Sequence, residues 1–501
     1  MTALTGRGRV AIIGAGAAGL ASARALLAQG FDCTLFERAT RLGGVWTIGY
    51  ANFGTQVQRE LYAFPDFPLP PEATDFTAGE IVQNYLEAYA RHFAILPRIR
   101  FATRVTAITG GEGTETWHVH TNCDGDTVEE DFEFVVVCIG LYSNVPHMPI
   151  FPGQDDFKGE ILHVSGVADR AQLAGKRVVV VGFGKSASDC ALESAAVAAR
   201  TTLVYRKVHW PVPPYLLGVL PFKWAMLNRL TSTLIPLYYR PSALERAVHG
   251  VGRPLVWLWW RIVERLLMAQ YDLGSRGGER PNFVPEHPIE LDGFGETTML
   301  PRPSFYPALR SGAIEPVQGG IAAFEENAVR LDNGRSIEAD SVVLATGWET
   351  DYGFLPQALQ SHVGEDGIFL YRQMLHPDAP RLAFIGHAAT ISSLLTYSLQ
   401  AAWLATLLTG RHELPGTADL RADVAALTAW KRRAIPAGRG RSARLLLHMQ
   451  HYHDQLLTDM GVDAWRKRGV FAPFKEVFAP YEPGDYQGLF DELGMAGSAD
   501  R

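Results

Sequence analysis

The chain reads as an α/β protein with two Rossmann-like dinucleotide-binding domains, the second inserted into the first. The reason is that a β-branched run closing on a glycine-rich turn and opening a helix occurs twice, at Arg9–Leu20 and Lys176–Ala191. Two further apolar runs that end in glycine, Val135–Gly140 (VVVCIG) and Val342–Gly347 (VVLATG), repeat one another downstream of the two turns. A Trp-, Leu- and Tyr-rich stretch, Pro211–Tyr271, interrupts the second unit and predicts a helical apolar insertion over about 211–280. The expected layout is a discontinuous first domain at 1–170 and 341–501, with the second domain at 171–340.

In the first turn, RVAIIGAGAAGL, Gly14, Gly16 and Gly19 stand in GxGxxG spacing among Ala15, Ala17 and Ala18. The first glycine makes the tight turn, the second lets backbone approach a pyrophosphate, and the third allows close packing of helix on strand. The phosphate then meets the helix N-terminus. Ala23, Leu26 and Gly30 continue the helix, and a second strand, Cys33–Phe36, ends in Glu37, whose carboxylate can accept hydrogen bonds from ribose hydroxyls.

The second turn, KRVVVVGFGKSASDCA, puts Gly182, Gly184 and Ala187 at the three small positions after the strand Val178–Val181. Lys185 and Ser186 add donors directed at phosphate. Its following strand, Thr201–Tyr205, ends not in an acid but in Arg206 and Lys207, two cations that suit a 2′-phosphate. The first site therefore fits a free ribose and the second fits NADPH better than NADH; the alternative for Arg206 and Lys207 is a solvated charged strand end.

Composition narrows the classes. Apolar residues make up 47% and charged residues 20% of 501, as in an ordinary globular protein, and a net charge of −7 gives no general reason to expect nucleic acid as a partner. Cys33, Cys123, Cys138 and Cys190 form no CxxC pair and read as free thiols of a reducing, cytoplasmic compartment. A disulfide reductase would share both nucleotide sites but needs a redox-active pair that this spacing does not offer. Lys223, Arg229, Arg240, Arg253 and Arg261 punctuate the most apolar region, so no spanning helix is expected.

From Gly14 to Gly44 the chain resembles the extended FAD signature GxGxxGxxxAxxLxxxG followed by ExxxRxGG, the last four positions being Arg41-Leu42-Gly43-Gly44. Phe157-Lys158-Gly159-Glu160-Ile161-Leu162-His163 resembles the FxGxxxH motif of flavin-containing and Baeyer–Villiger monooxygenases. Val167 stands where those families have an aromatic, Trp in the Baeyer–Villiger branch, which argues against that branch in particular. Gly44-Val45-Trp46, the segment Tyr62–Pro68, Leu344–Trp348, Phe384-Ile385-Gly386 and Gln400–Trp403 are similar to flavin-containing monooxygenase landmarks.

The resemblance implies FAD and NADPH as cofactors. It assigns cofactor contacts to Gly14, Ala15, Gly16, Ala17, Ala18, Gly19, Glu37, Arg38, Gly44, Val45, Trp46, Thr55, Gln56 and Gln400 on the flavin side. On the NADPH side it assigns Gly182, Gly184, Lys185, Ser186, Ala187, Arg206 and Lys207. Gln56 occupies the place, eight residues before Phe64, where the family commonly has an Asn beside the flavin; it keeps the amide one methylene further out and is expected to be catalytic. His163 has two readings, a domain-junction hydrogen-bonder, which is favoured, or a catalytic participant.

The implied reaction is hydride transfer from NADPH to FAD, capture of O2 at flavin C4a as a (hydro)peroxyflavin, and oxygenation of a nitrogen or sulfur nucleophile on a small organic substrate. Its rivals are Baeyer–Villiger oxygenation of a ketone, an NADPH oxidase or reductase, and a non-enzymatic NADPH-sensing module, against which the complete FAD signature argues. His448, His451 and His453 are read as a polar helix surface rather than a metal site, and no metal is expected. The 211–271 stretch is read first as a roof over the substrate cavity that covers apolar surface. Its alternative is peripheral contact with a membrane, which family members with a comparable insertion make.

Overall fold

The computed structural model describes residues 8–110, 116–142, 145–274, 281–291, 300–438 and 440–495. The two apolar motif strands become the centres of two five-stranded parallel sheets. In the first, Arg9–Ile13 lies between Asp32–Phe36 and Phe134–Val137, with Ile12 opposite both Leu35 and Val136. Ile99–Arg100 and Leu382–Phe384 are its edges. In the second, Arg177–Val181 lies between Arg200–Tyr205 and Ser341–Leu344, with Glu315–Gln318 and Glu160–His163 outermost. Strands covered on both faces must be apolar throughout, and Val10, Ile12, Val135, Val136, Val180, Val342 and Val343 are fully buried.

The two halves share one plan. Each also carries a three-stranded antiparallel meander, Thr103–Gly110/Trp117–Cys123/Asp126–Phe132 in the first and Ile321–Glu325/Ala328–Leu331/Ser336–Glu338 in the second. Each meander precedes the strand that closes the sheet onto glycine.

The domain boundaries expected from sequence need correction. Glu160–His163 and Ser341–Leu344, both placed in the first domain, are strands of the second sheet, with Leu162 opposite Val343 and Val179 opposite Val342. An apolar run such as SVVL buries both faces only inside a parallel sheet, and the second sheet is the one that offers an open side there. The first domain remains discontinuous because Leu382–Phe384 returns to pair with Val135–Val137. The helix Ser393–Leu408, buried over most of its length, packs on Ala17–Ala28, whose small residues let the two axes approach.

The insertion is helical, at Phe222–Met226, Arg229–Ser232, Ala243–Gly250 and Arg253–Tyr271. Ser242 and Glu245 start the third of these with a reciprocal capping box. Val256, Trp260, Val263 and Leu267, at helical spacing, form the buried stripe of the fourth. Its outer face is not polar: Leu255, Trp257, Leu258 and Ile262 are exposed there, as are Leu244 and Val251 on the neighbouring turn. The insertion therefore adds apolar surface as well as covering it. No helix among the described residues is long and apolar enough to cross a membrane.

Candidate functional site

At the first turn Gly14 adopts φ +104°, and a Cβ there would lie 2.6 Å from Cys138 O; on Gly19 it would lie 2.0 Å from Gly14 O. Gly16 caps the helix Ala17–Ala28 with no side-chain bond, so the first-turn N–H groups stay open to an anion. The Gly43–Gly44 backbone closes over this turn: Gly43 N donates to Ala15 O at 3.0 Å, and Gly44 Cα lies 3.6 Å from where a Gly16 Cβ would stand. The result is a side-chain-free cradle that fits the pyrophosphate of FAD. Glu37 sits beside it, buried, one carboxylate oxygen accepting from Ala15 N at 2.8 Å and the other from Ala39 N at 2.9 Å. Each oxygen keeps a second lone pair for a ribose hydroxyl.

Trp46 stacks on Phe53, centroids 5.6 Å apart, and donates through Nε1 to Tyr62 Oη at 3.1 Å. Gln56 is exposed and makes no side-chain hydrogen bond among the described residues, whereas Thr55 beside it is tied down. The Thr55 hydroxyl donates to Val57 O at 3.0 Å and accepts from Thr77 N at 2.9 Å. Gln400 is fully buried, its Oε1 accepting from Gly386 N at 3.1 Å and its Nε2 donating to Tyr452 Oη at 2.8 Å. Thr55 and Gln400 thus spend their polar groups on the protein, shaping the site from behind. Ala15, Ala17 and Ala18 belong to the turn itself, Val45 to the short helix Gly44–Thr47, and Arg38 is exposed just past the second strand.

The second turn repeats the first with one relaxation. Gly182 has φ +130°, and a Cβ on it would meet Ala345 O at 2.9 Å, while Ala187 fits in the third small position at 3.4 Å from that same point. Gly184 leaves the helix Lys185–Ala195 uncapped by side chains. Arg206 and Lys207 are exposed at the end of the strand, next to the turn, where Gly182 N donates to Val204 O at 2.9 Å. Ser186 opens the first turn of the helix. Lys185 does not point freely at the turn: its ammonium pairs with buried Asp189 one helical turn on, and burial pushes its pKa down.

His163 is buried at the crossover between the sheets. Its Nε2–H donates to Gly347 O at 3.0 Å, which leaves Nδ1 to accept from Ser165 Oγ at 2.8 Å and Ser165 N at 3.3 Å. The ring meets Trp348 edge-on at 5.0 Å, and burial lowers its pKa, so it is held neutral. Both nitrogens are occupied, Nε2 in joining the FxGxxxH strand to the ATG turn and Nδ1 in fixing the short helix Val164–Gly166 that follows the strand.

The expectation of a polar His surface at 448, 451 and 453 is corrected. His448 and His453 are core residues with pKa values held down at about 3 by burial, bonded to Pro236 O at 2.7 Å and Thr396 Oγ1 at 2.7 Å. His451 turns to Glu245 of the insertion. The three rings serve three different partners because the helix Met449–Asp459 is packed on several sides.

Sequence reading missed Tyr50, Asn52, Glu193 and Arg302, which meet across the junction. Only the i,i+4 spacing of Lys185 and Asp189 signalled any part of that cluster.

The comparisons agree with this architecture. The flavin-binding monooxygenase-like family matches residues 7–241 and 307–463. Probable flavin-containing monooxygenase 1 of Arabidopsis thaliana is 30% identical over 96% of this chain and 96% of its own. Flavin-containing monooxygenase 5 of Oryctolagus cuniculus is 27% identical over 83% of this chain and 76% of its own. Among solved structures, S-allyl-L-cysteine S-oxygenase from Allium sativum superposes with TM-score 0.61 at 21% identity, covering 98% of this chain and 96% of that one. Cyclohexanone-bound cyclohexanone monooxygenase gives 0.67 at 17% identity, covering 90% and 97%. With the family match running through both glycine turns and the crossover at Gly347, the chain belongs to the flavin-binding monooxygenase-like family and is an FAD- and NADPH-dependent monooxygenase.

Proposed function

We propose that the enzyme binds FAD at the Gly14–Gly19 turn and NADPH at the Gly182–Ala187 turn, and transfers one oxygen atom of O2 to a nitrogen or sulfur atom of a small nucleophilic substrate. The observation that carries the cofactor assignment is the contrast between two like turns. One has buried Glu37 at its strand end, and the other has exposed Arg206 and Lys207. FAD supplies, when bound, the redox and oxygen-activating chemistry that side chains lack. The chain's own work is to bind both cofactors, place Trp46 and Tyr62 beside the flavin, and present the Gln56 amide; His163 ties the ends of two neighbouring strands of the second sheet where the chain leaves it at Gly347.

Val167 favours heteroatom over ketone oxygenation. It is buried, and its carbonyl accepts from Ala51 N at 2.8 Å, so an aliphatic side chain fills the place where the Baeyer–Villiger branch has Trp. Supplying purified enzyme and NADPH with a dialkyl sulfide, a tertiary amine and a cyclic ketone tests the reading. Sulfoxide or N-oxide is expected, and lactone as the dominant product would replace it with Baeyer–Villiger chemistry. Arg206→Ala is expected to raise the KM for NADPH well above that for NADH, since each charge-assisted bond to the 2′-phosphate contributes ~1.5 to 3 kcal/mol. Equal effects on both nucleotides would put the 2′-phosphate elsewhere.

We propose also that the insertion rests on an anionic membrane surface. Between Pro211 and Tyr271 the cations Lys223, Arg229, Arg240 and Arg261 pair with carboxylates, which leaves Arg246, Arg253 and Arg265 as the exposed charges outside those pairs, whereas the segment's acids, Glu245 and Glu264, are both buried. An outward face of Trp257, Leu255, Leu258 and Ile262 flanked by exposed Arg253 and Arg265 has the composition of an interfacial helix, on a chain whose net charge is −7. Co-sedimentation with phosphatidylserine vesicles, weakened by salt and by Trp257→Ser, is the expected result. Failure to sediment at low salt would overturn it.

A further inference from the structure

Tyr50 and Asn52 lie on the flavin side, between the short helix Gly44–Thr47 and Gln56, yet both side chains end on the helix that opens from the second turn. Tyr50 Oη donates to Asp189 Oδ2 at 2.9 Å, and Asn52 Nδ2 donates to Glu193 Oε2 at 2.9 Å. Asp189 and Glu193, one helical turn apart, are 0% and 7% exposed, and two buried carboxylates on one helix face repel unless neutralised. Arg302 supplies the counter-charge. Its Nε lies 3.2 Å from Asp189 Oδ1, its Nη1 donates to Glu193 Oε1 at 2.6 Å, and its Nη2 donates to Asn52 O at 2.6 Å. Lys185 pairs with Asp189 from the other side, and the more exposed Arg170 comes within 3.7 Å of Glu193 Oε2, so Arg302 is the cation that reaches both acids. Asn52 adopts φ 56°, a left-handed conformation that asparagine tolerates better than most residues, and so presents both its amide and its carbonyl to this cluster.

We infer that this cluster is an ionic lock that sets the spacing between the two cofactor sites, with Arg302 as a positioning residue for hydride transfer from NADPH to the flavin. The rigid guanidinium fork touches three groups at once, one on the flavin-side loop and two on the helix of the second turn, which a flexible ammonium could not match. Hydride transfer tolerates little error: reacting atoms must sit ~3 to 3.5 Å apart, and a misplacement of ~1 Å can cost on the order of a hundredfold in rate. The lock rests on the reading that the second turn carries NADPH.

The test uses holoenzyme variants Arg302→Met, Arg302→Lys, Tyr50→Phe and Asn52→Gly, the last two removing ties without uncovering a buried charge. Flavin reduction is followed anaerobically with saturating NADPH and, separately, with dithionite, which needs no docking. Arg302→Met is expected to slow reduction by NADPH roughly ten- to a hundredfold, with dithionite reduction and FAD content at parental levels and partial recovery in Arg302→Lys. Tyr50→Phe and Asn52→Gly should each slow it severalfold, and these two decide the matter if Arg302→Met does not fold. Parental NADPH reduction in both, with NADP+ still perturbing the flavin spectrum, overturns the lock and leaves the second-site reading standing. An Arg206→Ala enzyme with unchanged preference between NADPH and NADH would instead overturn the second-site reading.

Discussion

Gly19→Ala is expected to purify without its yellow colour. The added methyl would stand 2.0 Å from Gly14 O and 3.1 Å from Gly14 C, both backbone atoms of the turn that forms the cradle. No side-chain rotation relieves a backbone clash, so the helix Ala17–Ala28 must back away from the turn and carry its open N–H groups with it. Losing two phosphate contacts of ~1.5 to 3 kcal/mol each weakens FAD binding by roughly a hundredfold to ten-thousandfold. The check is the flavin-to-protein absorbance ratio followed by titration with FAD. Ala187→Gly is the control, since the second turn already accommodates a methyl at its third small position, and NADPH binding should change little. Parental FAD affinity in Gly19→Ala would remove the first turn from the flavin site.

Gln56→Leu is expected to uncouple the enzyme. Thr55 and Thr77 pin the loop, so the Gln56 amide is presented from a fixed backbone while its own groups remain unspent among the described residues. In the proposed role this amide would act on the oxygen chemistry that follows hydride transfer, and not on the transfer itself. Leucine keeps the approximate size and removes both donor and acceptor. Losing one contact of ~1 to 3 kcal/mol lets activated oxygen escape as hydrogen peroxide roughly five- to a hundredfold faster, with flavin reduction little changed. Peroxide released per NADPH consumed, measured beside the anaerobic reduction rate, separates this from a solvent-facing loop residue. Unchanged peroxide yield, or a loss confined to the reduction step, would falsify the role.

The two glycine turns and the charges at their strand ends are legible in the sequence, and the reason is local. A dinucleotide turn is built by strand, glycines, helix and next strand within about thirty residues, so Gly14, Gly19, Glu37, Gly182 and Arg206 announce themselves by spacing alone. Residues that act through partners far along the chain do not. Nothing near Gln400 says that its amide will be consumed by Gly386 N and Tyr452, and nothing near His453 says that Thr396 will bury it. Lys185 shows the boundary between the two kinds of information. Its place in the turn suggested a phosphate, and its i,i+4 neighbour Asp189 holds it instead.

The amino-acid order by itself determined that there are two nucleotide turns, that they differ in charge, and that one unit interrupts the other. These follow from short-range sterics, which hold wherever the segment sits. Only the tertiary structure decided to which sheet Glu160–His163 and Ser341–Leu344 belong, since an apolar strand suits any parallel sheet and its neighbour is chosen by the open side that remains. It likewise decided that Arg302 would sit between Asp189 and Glu193, more than a hundred residues away, and join them to Asn52. The pairs with Asp189 and Glu193 arise from packing within the second unit and the bond to Asn52 from how the two units dock, and both sum many weak preferences that no single segment carries.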